Sequence, residues 1–373
     1  MRYPRPLRQP WSVSYSPVFG DPVTLSAVSL FSGCGGLDLG LQQAGFDLVL
    51  AEDNDPACAE SHMLNFPSVP FHLGSVTDLD RDLAGKLSGG RTGRVDLLAG
   101  GPPCPPYSKS RFYRKEKPRA LDDPLGWETI QGYMKVLGFL KPRAFLLENV
   151  PGLAYAVHGD ALSLILDTAH SMGYSTDWRV LNAADYGVPQ IRERLFVVGL
   201  LEGSFSWPDP THAKDGESGL LINRLPWVSA GDALNDLDTD ENANDQGHVA
   251  GGRFHELLEE VPPGDNYLFL TSRRGHPEPS FEWRSRYWSF LLKLSPEMPS
   301  WTIQARRSNN MGPFHWRNRI LRIPEIKRLQ SFPDAWQLAG KVETQWRQIG
   351  NAVPPLLARR MGESLYSALK TDP

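Results

Sequence analysis

The pattern of hydrophobic and polar residues changes at about residue 203. Before that point, short continuous apolar runs alternate with stretches in which apolar residues recur at helical spacing. The runs predict strands at residues 27–31, 48–51, 95–99, 144–147 and 195–199, and the stretches predict helices at 37–44, 57–64, 130–140 and 161–172. Continuous apolar strands are typical of sheets buried on both faces, so the alternation predicts an α/β fold with a doubly wound, mostly parallel sheet.

The rest of the chain predicts a second, smaller domain. Beyond residue 203 the sequence is rich in Pro, Gly, Asp and Asn, with scattered aromatic segments, until a helical pattern returns at 356–369. We expect an irregular N-terminal arm at 1–22, a first domain at 23–203, a second domain at 204–339 and a return of the chain to the first domain at 340–373. The last helix would then pack back onto the first domain.

Composition limits the class of protein. The 373 residues are 40% hydrophobic and 22% charged, and no apolar run approaches the roughly 20 residues needed to cross a bilayer. The basic N-terminus is interrupted by prolines rather than followed by an apolar signal core, so we expect a cytoplasmic protein with no membrane partner. The three cysteines are far apart, which predicts neither disulfides nor a metal site.

Charge is unevenly distributed, although the formal net charge is only −4. The stretch 232–265 is acidic, whereas 273–328 is rich in arginine, and six basic residues follow Cys104 at 109–119. Most charged stretches are simply solvated surface, but both basic stretches also contain aromatic residues. This combination indicates contact with nucleic-acid phosphates, provided that other features agree.

Two features of the first domain indicate an adenosine-containing cofactor. A glycine-rich turn, Phe31 to Leu37, follows the first strand and opens a helix, where backbone N–H groups can face a polar ligand. Such a turn can also serve tight packing alone. At the end of the second strand, however, Glu52 and Asp53 occupy the position from which a carboxylate binds ribose hydroxyls.

Cys104 is the candidate nucleophile. It follows a buried strand in the sequence Gly-Gly-Pro-Pro-Cys, which places a thiol at the ligand-binding edge of the sheet between stiffening prolines. A lone cysteine is more often a small buried hydrophobic residue, and that reading suits Cys34 and Cys58.

The next strands end in further reactive side chains. Glu148 and Asn149 end one strand, and Glu148 is either a capping acceptor or a catalytic acid whose pKa rises in a partly apolar pocket. Arg192 and Arg194 precede the last predicted strand, and their spacing would point both toward the site.

Taken in order, these segments resemble the cytosine-C5 DNA methyltransferase family. The motifs are Phe31-Ser32-Gly33-Cys34-Gly35-Gly36, Pro102-Pro103-Cys104, Glu148-Asn149-Val150, Gln190-Ile191-Arg192-Glu193-Arg194, Arg328-Leu329-Gln330-Ser331-Phe332-Pro333 and Gln348-Ile349-Gly350-Asn351-Ala352-Val353-Pro354-Pro355. The resemblance covers about residues 26–200 and 320–357. It implies a Rossmann-like domain that binds S-adenosylmethionine and a target-recognition domain between the two matched parts.

The resemblance also implies a mechanism. Cys104 would add as a thiolate to carbon 6 of a cytosine, so that carbon 5 can attack the cofactor's methyl group. Glu148 would hydrogen-bond or protonate ring nitrogen 3, and Arg194, helped by Arg192, would hold the O2 edge. The cytosine must first leave the duplex and enter the pocket.

By the same resemblance, further residues would bind the cofactor and the DNA. The cofactor residues are Phe31, Cys34, Gly35, Gly36, Asp53, Asn54, Ser75, Val76, Gly101, Pro103, Leu125, Asn351 and Val353. Asp53 stands where the family usually has Glu, and Glu52 beside it is the alternative. The DNA residues are Ser108, Lys109, Arg111, Arg306, Arg307, Arg317 and Arg319. The partner would be double-stranded DNA, with a separate restriction endonuclease left open, and we expect a monomer.

Two other functions are compatible with this sequence core. A branch of the family methylates cytosine in transfer RNA, but its characteristic Cys-Phe-Thr tripeptide is absent here. The other alternative is an inactive DNA-binding homologue, against which the presence of Cys104, Glu148 and Arg194 argues.

Overall fold

The computed structural model describes residues 24–93, 95–103, 120–155, 159–219, 223–239 and 249–370. Within these ranges seven strands form one sheet in the order β3-β2-β1-β4-β5-β8-β6. The strands are β1 Leu25–Leu30, β2 Phe46–Asp53, β3 Phe71–Leu73, β4 Leu97–Gly100, β5 Ala144–Asn149, β6 Ser175–Asn182 and β8 Glu193–Leu200. Only β8 runs against its neighbours, pairing antiparallel with both β5 and β6. The predicted doubly wound, mostly parallel sheet is confirmed.

Helices cover both faces of this sheet. They are α1 Gly36–Gln43, α2 Pro56–Asn65, α3 Arg81–Leu87, α4 Pro124–Leu140 and α5 Gly159–Ser171. The apolar residues of the strands divide between two buried clusters, so that in β1 Ala27 belongs to one cluster and Val28 to the other. The Tyr133 hydroxyl on α4 donates a bond to the Leu98 or Leu146 carbonyl, which joins this helix to β4 and β5.

The C-terminal helices return to the first domain. They are α8 Ile323–Leu329, α9 Val342–Asn351 and α10 Pro355–Lys370. Helix α10 packs closely on α1, because a Cβ at Gly40 would lie 2.4 Å from the Ala358 Cβ, and a Cβ at Gly362 would lie 2.7 Å from the Ala44 Cβ. The last helix therefore lies against α1, and small residues make this close contact possible.

The middle of the chain has little regular structure. It contains helices α6 Ala230–Leu234 and α7 His255–Glu260, and the short strands β9 His212–Ala213, β10 Glu217–Ser218, β11 Asn223–Pro226 and β12 Ser300–Trp301. Strand β12 pairs with a two-residue strand of the first domain, β7 Gln190–Ile191. Aromatic rings form much of the local core, as Phe254, Tyr267, Phe281 and Phe290 meet with centroids 5.3–5.9 Å apart. The limits of the two domains stay a prediction from composition.

The structure adds elements that the hydrophobic pattern did not predict. Strand β6 lies at the sheet edge and is mostly exposed, so it contains no continuous apolar run. Strand β3 and helix α3 are too short to show a clear periodicity. None of the helices in the described ranges is long and apolar enough to span a membrane.

Candidate active site

A buried ion pair lies at the carboxyl end of β5. Arg194 Nε lies 2.8 Å from Glu148 Oε1, and the two side chains are 11% and 5% exposed. In the antiparallel pairing, Glu148 lies opposite Phe196 and Asn149 opposite Leu195, which brings the start of β8 beside the end of β5. Burial raises the pKa of the Glu148 carboxyl, although Arg194 and Arg192 oppose the rise. A carboxyl with a raised pKa can retain or donate a proton near neutral pH.

The chain that leads to Cys104 passes directly over this pair. A Cβ on Gly101 would lie 2.9 Å from Glu148 Oε2, so only glycine lets the backbone approach the carboxylate this closely. The buried Asn149 donates from Nδ2 to the Pro102 carbonyl at 3.1 Å. Gly101 is therefore beside Glu148, and Pro102 is held by Asn149; the predicted contacts of Gly101 and Pro103 with the cofactor stay predictions. Cys104 itself lies outside the described residues, as do Ser108, Lys109 and Arg111.

Arg192 occupies a different place from Arg194. Its side chain is fully buried, and its guanidinium donates to the carbonyls of Ile303, Gly350 and Ala352 at 2.8–3.2 Å. These carbonyls belong to the segment after β12 and to the end of α9. The expectation that Arg192 faces the substrate needs correction: its contacts make it a positioning residue that joins three segments behind the site.

The glycine-rich turn forms a cradle at the end of β1. A Cβ on Gly33 would meet no atom within 4 Å, so there is open space in front of the turn. Behind it, a Cβ on Gly35 would lie 2.7 Å from the Phe66 ring, and one on Gly36 would lie 2.4 Å from the Val353 carbonyl oxygen. Phe31 and Gly33 have left-handed backbone conformations, with φ of 52° and 56°. Val353, which the sequence predicts to bind the cofactor, supports the turn from behind through its carbonyl.

Two neighbouring carboxylates, Glu52 and Asp53, lie at this cradle. Both Asp53 oxygens accept backbone N–H groups, from Gly33 and Asp55, each at 2.9 Å. Glu52 is 1% exposed and accepts one bond from the Phe31 N–H at 3.1 Å. Burial, with a smaller effect of Asp53, raises the pKa of Glu52 to about 8. Asp53 therefore braces the glycine-rich turn, and Asp53 and its alternative Glu52 both remain predicted ligands of the cofactor.

The remaining predicted cofactor residues differ in accessibility. Asn54, Leu125 and Asn351 are exposed, and Ser75 is half-buried with its hydroxyl 2.8 Å from the Thr77 hydroxyl. Val76 and Cys34 are buried, and burial raises the pKa of the Cys34 thiol far above its usual value. Such a thiol is not a nucleophile at neutral pH.

The predicted DNA-binding arginines differ from one another in exposure and in their acidic partners. Arg306 is exposed, and Arg307 lies 3.5 Å from Glu343. The other two are held by acids: Arg317 Nε lies 2.9 Å from Asp238, and Arg319 makes a buried two-bond pair with Glu325 at 2.9 and 2.6 Å. Arg319 is only 4% exposed, so its assignment to DNA is corrected to a structural role.

Other residues of the site gave no chemical signal in the sequence. The amide of the buried Gln190 donates to the Leu329 carbonyl and accepts from the Ile303 N–H. Trp336 donates from its indole to the Cys34 carbonyl at 3.1 Å, so the segment that follows α8 holds the glycine-rich turn. Gln190 begins one of the motifs quoted above, and Trp336 lies shortly after the motif that ends at Pro333. Their position in or next to a motif is the signal that could have identified them. Among the residues of known placement, no three His, Cys, Asp or Glu side chains are arranged to hold a metal ion.

The reversed strand β8 in an otherwise parallel sheet, with helices on both faces, defines a Rossmann-like α/β fold. Two solved structures share this fold. A chain assigned as a DNA modification methyltransferase encoded within an E. coli prophage has a TM-score of 0.68 and 22% identity, covering 93% of this chain and all of that one. The methyltransferase EhMeth of Entamoeba histolytica has a TM-score of 0.59 and 15% identity, covering 92% and 98%.

The chain belongs to the C-5 cytosine-specific DNA methylase family, whose model matches residues 25–367. It is 36% identical to the Type II methyltransferase M.SacI of Streptomyces achromogenes, with 92% of this chain and 93% of the relative covered. It is 31% identical to the Type II methyltransferase M.XorII of Xanthomonas oryzae pv. oryzae, with 93% and 85% covered. The resemblance recognised in the motifs is confirmed.

Proposed function

We propose that this DNA cytosine-C5 methyltransferase uses S-adenosylmethionine and works through Cys104, Glu148 and Arg194 on a cytosine flipped out of duplex DNA. The observation that carries the proposal is the buried Glu148–Arg194 pair, covered by the Gly101 to Pro103 segment that runs into Cys104. The family match supports the substrate class.

The cradle at the end of β1 fits the cofactor. The open space before Gly33 and the single bond on the buried Glu52 leave room and an acceptor for a hydroxylated ligand. Phe31, Glu52 and Gly35 would hold S-adenosylmethionine, together with the exposed Leu125 and Asn351. When bound there, the cofactor supplies an electrophilic methyl group.

The chain's own residues would prepare the cytosine for attack. The Cys104 thiolate would bond to carbon 6, while Glu148 hydrogen-bonds or protonates ring nitrogen 3 and so stabilises the charge that develops on the ring. Arg194 would hold Glu148 in place and reach the O2 edge. Arg192 would fix the β8 end by its three carbonyl contacts. Loss of the carbon 5 proton then lets the thiolate leave.

A duplex with 5-fluorocytosine at the methylated site tests this proposal. Fluorine cannot leave as a proton does, so the enzyme should remain covalently bound to DNA when S-adenosylmethionine is present. Cys104→Ala should form no adduct but should still bind the cofactor. If the wild-type protein methylates DNA and still forms no adduct, Cys104 is not the nucleophile. Bisulfite sequencing of plasmid from expressing cells gives the site, and methylation assays on transfer RNA test the alternative substrate.

We further propose that the protein acts as a monomer, with residues 204–339 as its target-recognition domain, and that it is part of a Type II restriction-modification system. The names of its relatives support the last point. A cognate endonuclease should cut unmethylated plasmid, but not plasmid that this chain has methylated, in extracts of the source cells. Sedimentation of the purified protein gives the oligomeric state.

A further inference from the structure

Two exposed tryptophans lie in contact on the second domain. Trp288 is 54% exposed and Trp301 is 37% exposed, and their ring centroids are 5.8 Å apart at an interplanar angle of 72°. The neighbouring Tyr287 is 59% exposed. Single exposed aromatic residues are common on protein surfaces, but adjacent ones form an apolar patch of the kind that marks a binding site. We call Tyr287, Trp288 and Trp301 the aromatic patch.

The backbone beneath the patch is firmly held. The fully buried Asn266 donates from Nδ2 to the Trp288 carbonyl at 2.9 Å. The Tyr267 hydroxyl donates to the Arg286 carbonyl at 2.8 Å and lies 3.2 Å from the Arg286 N–H. The rings are therefore presented to solvent from an ordered loop, which lowers the entropic cost of binding a partner.

The patch is joined directly to the candidate active site. Trp301 lies in register with Ile191 in the β7–β12 pair, and the Thr302 hydroxyl donates to the Ile191 carbonyl at 2.8 Å. Ile191 lies just before Arg192 and Arg194, the residues that hold the active-site edge. Trp301 is therefore joined through the β7–β12 pair to the segment that contains the two arginines.

The surroundings of the patch favour a polyanion. Arg284, Arg286 and Arg306 are exposed, and within the described part of the chain none of them makes an ion pair with a carboxylate. Arg286 lies over the rings of Phe281 and Phe290 at 5.7 and 5.9 Å, which holds its charge beside the patch. The exposed carboxylates of Glu278 and Glu282 lie in the same stretch of sequence but do not pair with these arginines.

We propose that Trp288 and Trp301 stack on nucleobases of the duplex beside the flipped cytosine, while Arg284, Arg286 and Arg306 bind the flanking phosphates. The proposal rests on the proposed function, because base faces are covered in an intact duplex and become accessible when a base leaves the stack. Aromatic side chains and bases then stack through their flat faces, independently of hydrogen-bonding sequence contacts.

The test compares Trp288→Ala and Trp301→Ala with Trp178→Ala, a control at a site that is 38% exposed on the edge strand β6. A fluorescent duplex containing the methylated site is titrated at several salt concentrations, and methyl transfer is measured on the same duplex. We expect the two patch variants to bind roughly 10- to 100-fold more weakly with an unchanged salt slope, because no charge is lost. Trp288→Phe should recover part of the affinity.

Arginine variants give a different signature. Arg284→Ala, Arg286→Ala and Arg306→Ala should each reduce the slope of log Kd against log salt by about one. The patch proposal is overturned if Trp288→Ala and Trp301→Ala bind and methylate DNA like the Trp178 control. It is also overturned if they only convert a dimer to a monomer in sedimentation, because the patch would then bind a second copy of the chain. If the wild-type protein does not methylate any DNA, the proposed function fails instead.

Discussion

The two domains use their arginines differently. At the edge of the first domain, two arginines two positions apart on one extended segment have separate partners: Arg194 pairs with Glu148, and Arg192 binds carbonyls of the second domain and of α9. In the second domain, Arg306 is exposed, whereas Arg319 is buried against Glu325. Strand geometry fixes the direction of a side chain, but only its partners show whether it can meet a substrate.

The largest expected effect is the loss of methyl transfer when Glu148, the carboxyl at the active-site edge of the first domain, is replaced. Glu148→Gln keeps the size of the side chain but removes its titratable proton, so methyl transfer to plasmid DNA should fall by about 10²–10⁴-fold. The rate of incorporation of a labelled methyl group measures this. Thermal unfolding should change little, and an active variant would exclude Glu148 as the acid.

The contrast between the two arginines can be tested directly. Arg192→Ala should lower the free energy of unfolding by at least about 3 kcal/mol, because it leaves the buried carbonyls of Ile303, Gly350 and Ala352 without this donor. Arg194→Ala should mainly reduce activity, because Arg194 contacts the Glu148 carboxyl at the site rather than joining separate segments of the fold. Urea unfolding and methylation assays on both variants measure the two effects. Equal losses of stability would contradict the separate roles.

The cofactor cradle should make stability depend on pH. The folded pKa of Glu52, about 8, lies above its ordinary value of 4.5, so the native state holds the proton more tightly. The resulting contribution of Glu52 to the free energy of unfolding is fully present below about pH 4.5. It is lost as the pH rises toward 8, by up to about 1.4 kcal/mol per pH unit. Glu52→Gln should remove this part of the dependence in cofactor-free protein. If the free energy of unfolding changes with pH in the same way for the wild type and for Glu52→Gln, this prediction is wrong.

The smallest expected effect concerns the arginines of the second domain. Arg306→Ala should reduce the salt slope of DNA binding by about one, since its guanidinium is exposed. Arg317→Ala should change the slope less, because Asp238 already neutralises its charge at 2.9 Å. Fluorescence anisotropy at four or five salt concentrations gives both slopes. A larger change for Arg317 would mean that the pair opens on DNA.

Prediction succeeded where local sequence and long-range structure agree. The strands β1, β4 and β5 are continuous apolar runs, and the side chains that follow parallel strands must meet at one edge, so Glu148 and the Gly101 segment could be placed together. Edge strand β6 was missed because its side chains face solvent. Counting along a motif also could not show that both oxygens of the predicted Asp53 accept backbone N–H groups.

The sequence by itself determined the alternation of buried strands and helices, the reactive residue types and the family, because burial on both faces and motif order are properties of the chain. Tertiary structure alone decided which arginines are accessible, that Trp336 supports the glycine-rich turn and that Trp288 meets Trp301. These outcomes depend on contacts between residues far apart in sequence. No local pattern of polarity records such contacts, because each partner is set by the packing of the whole fold.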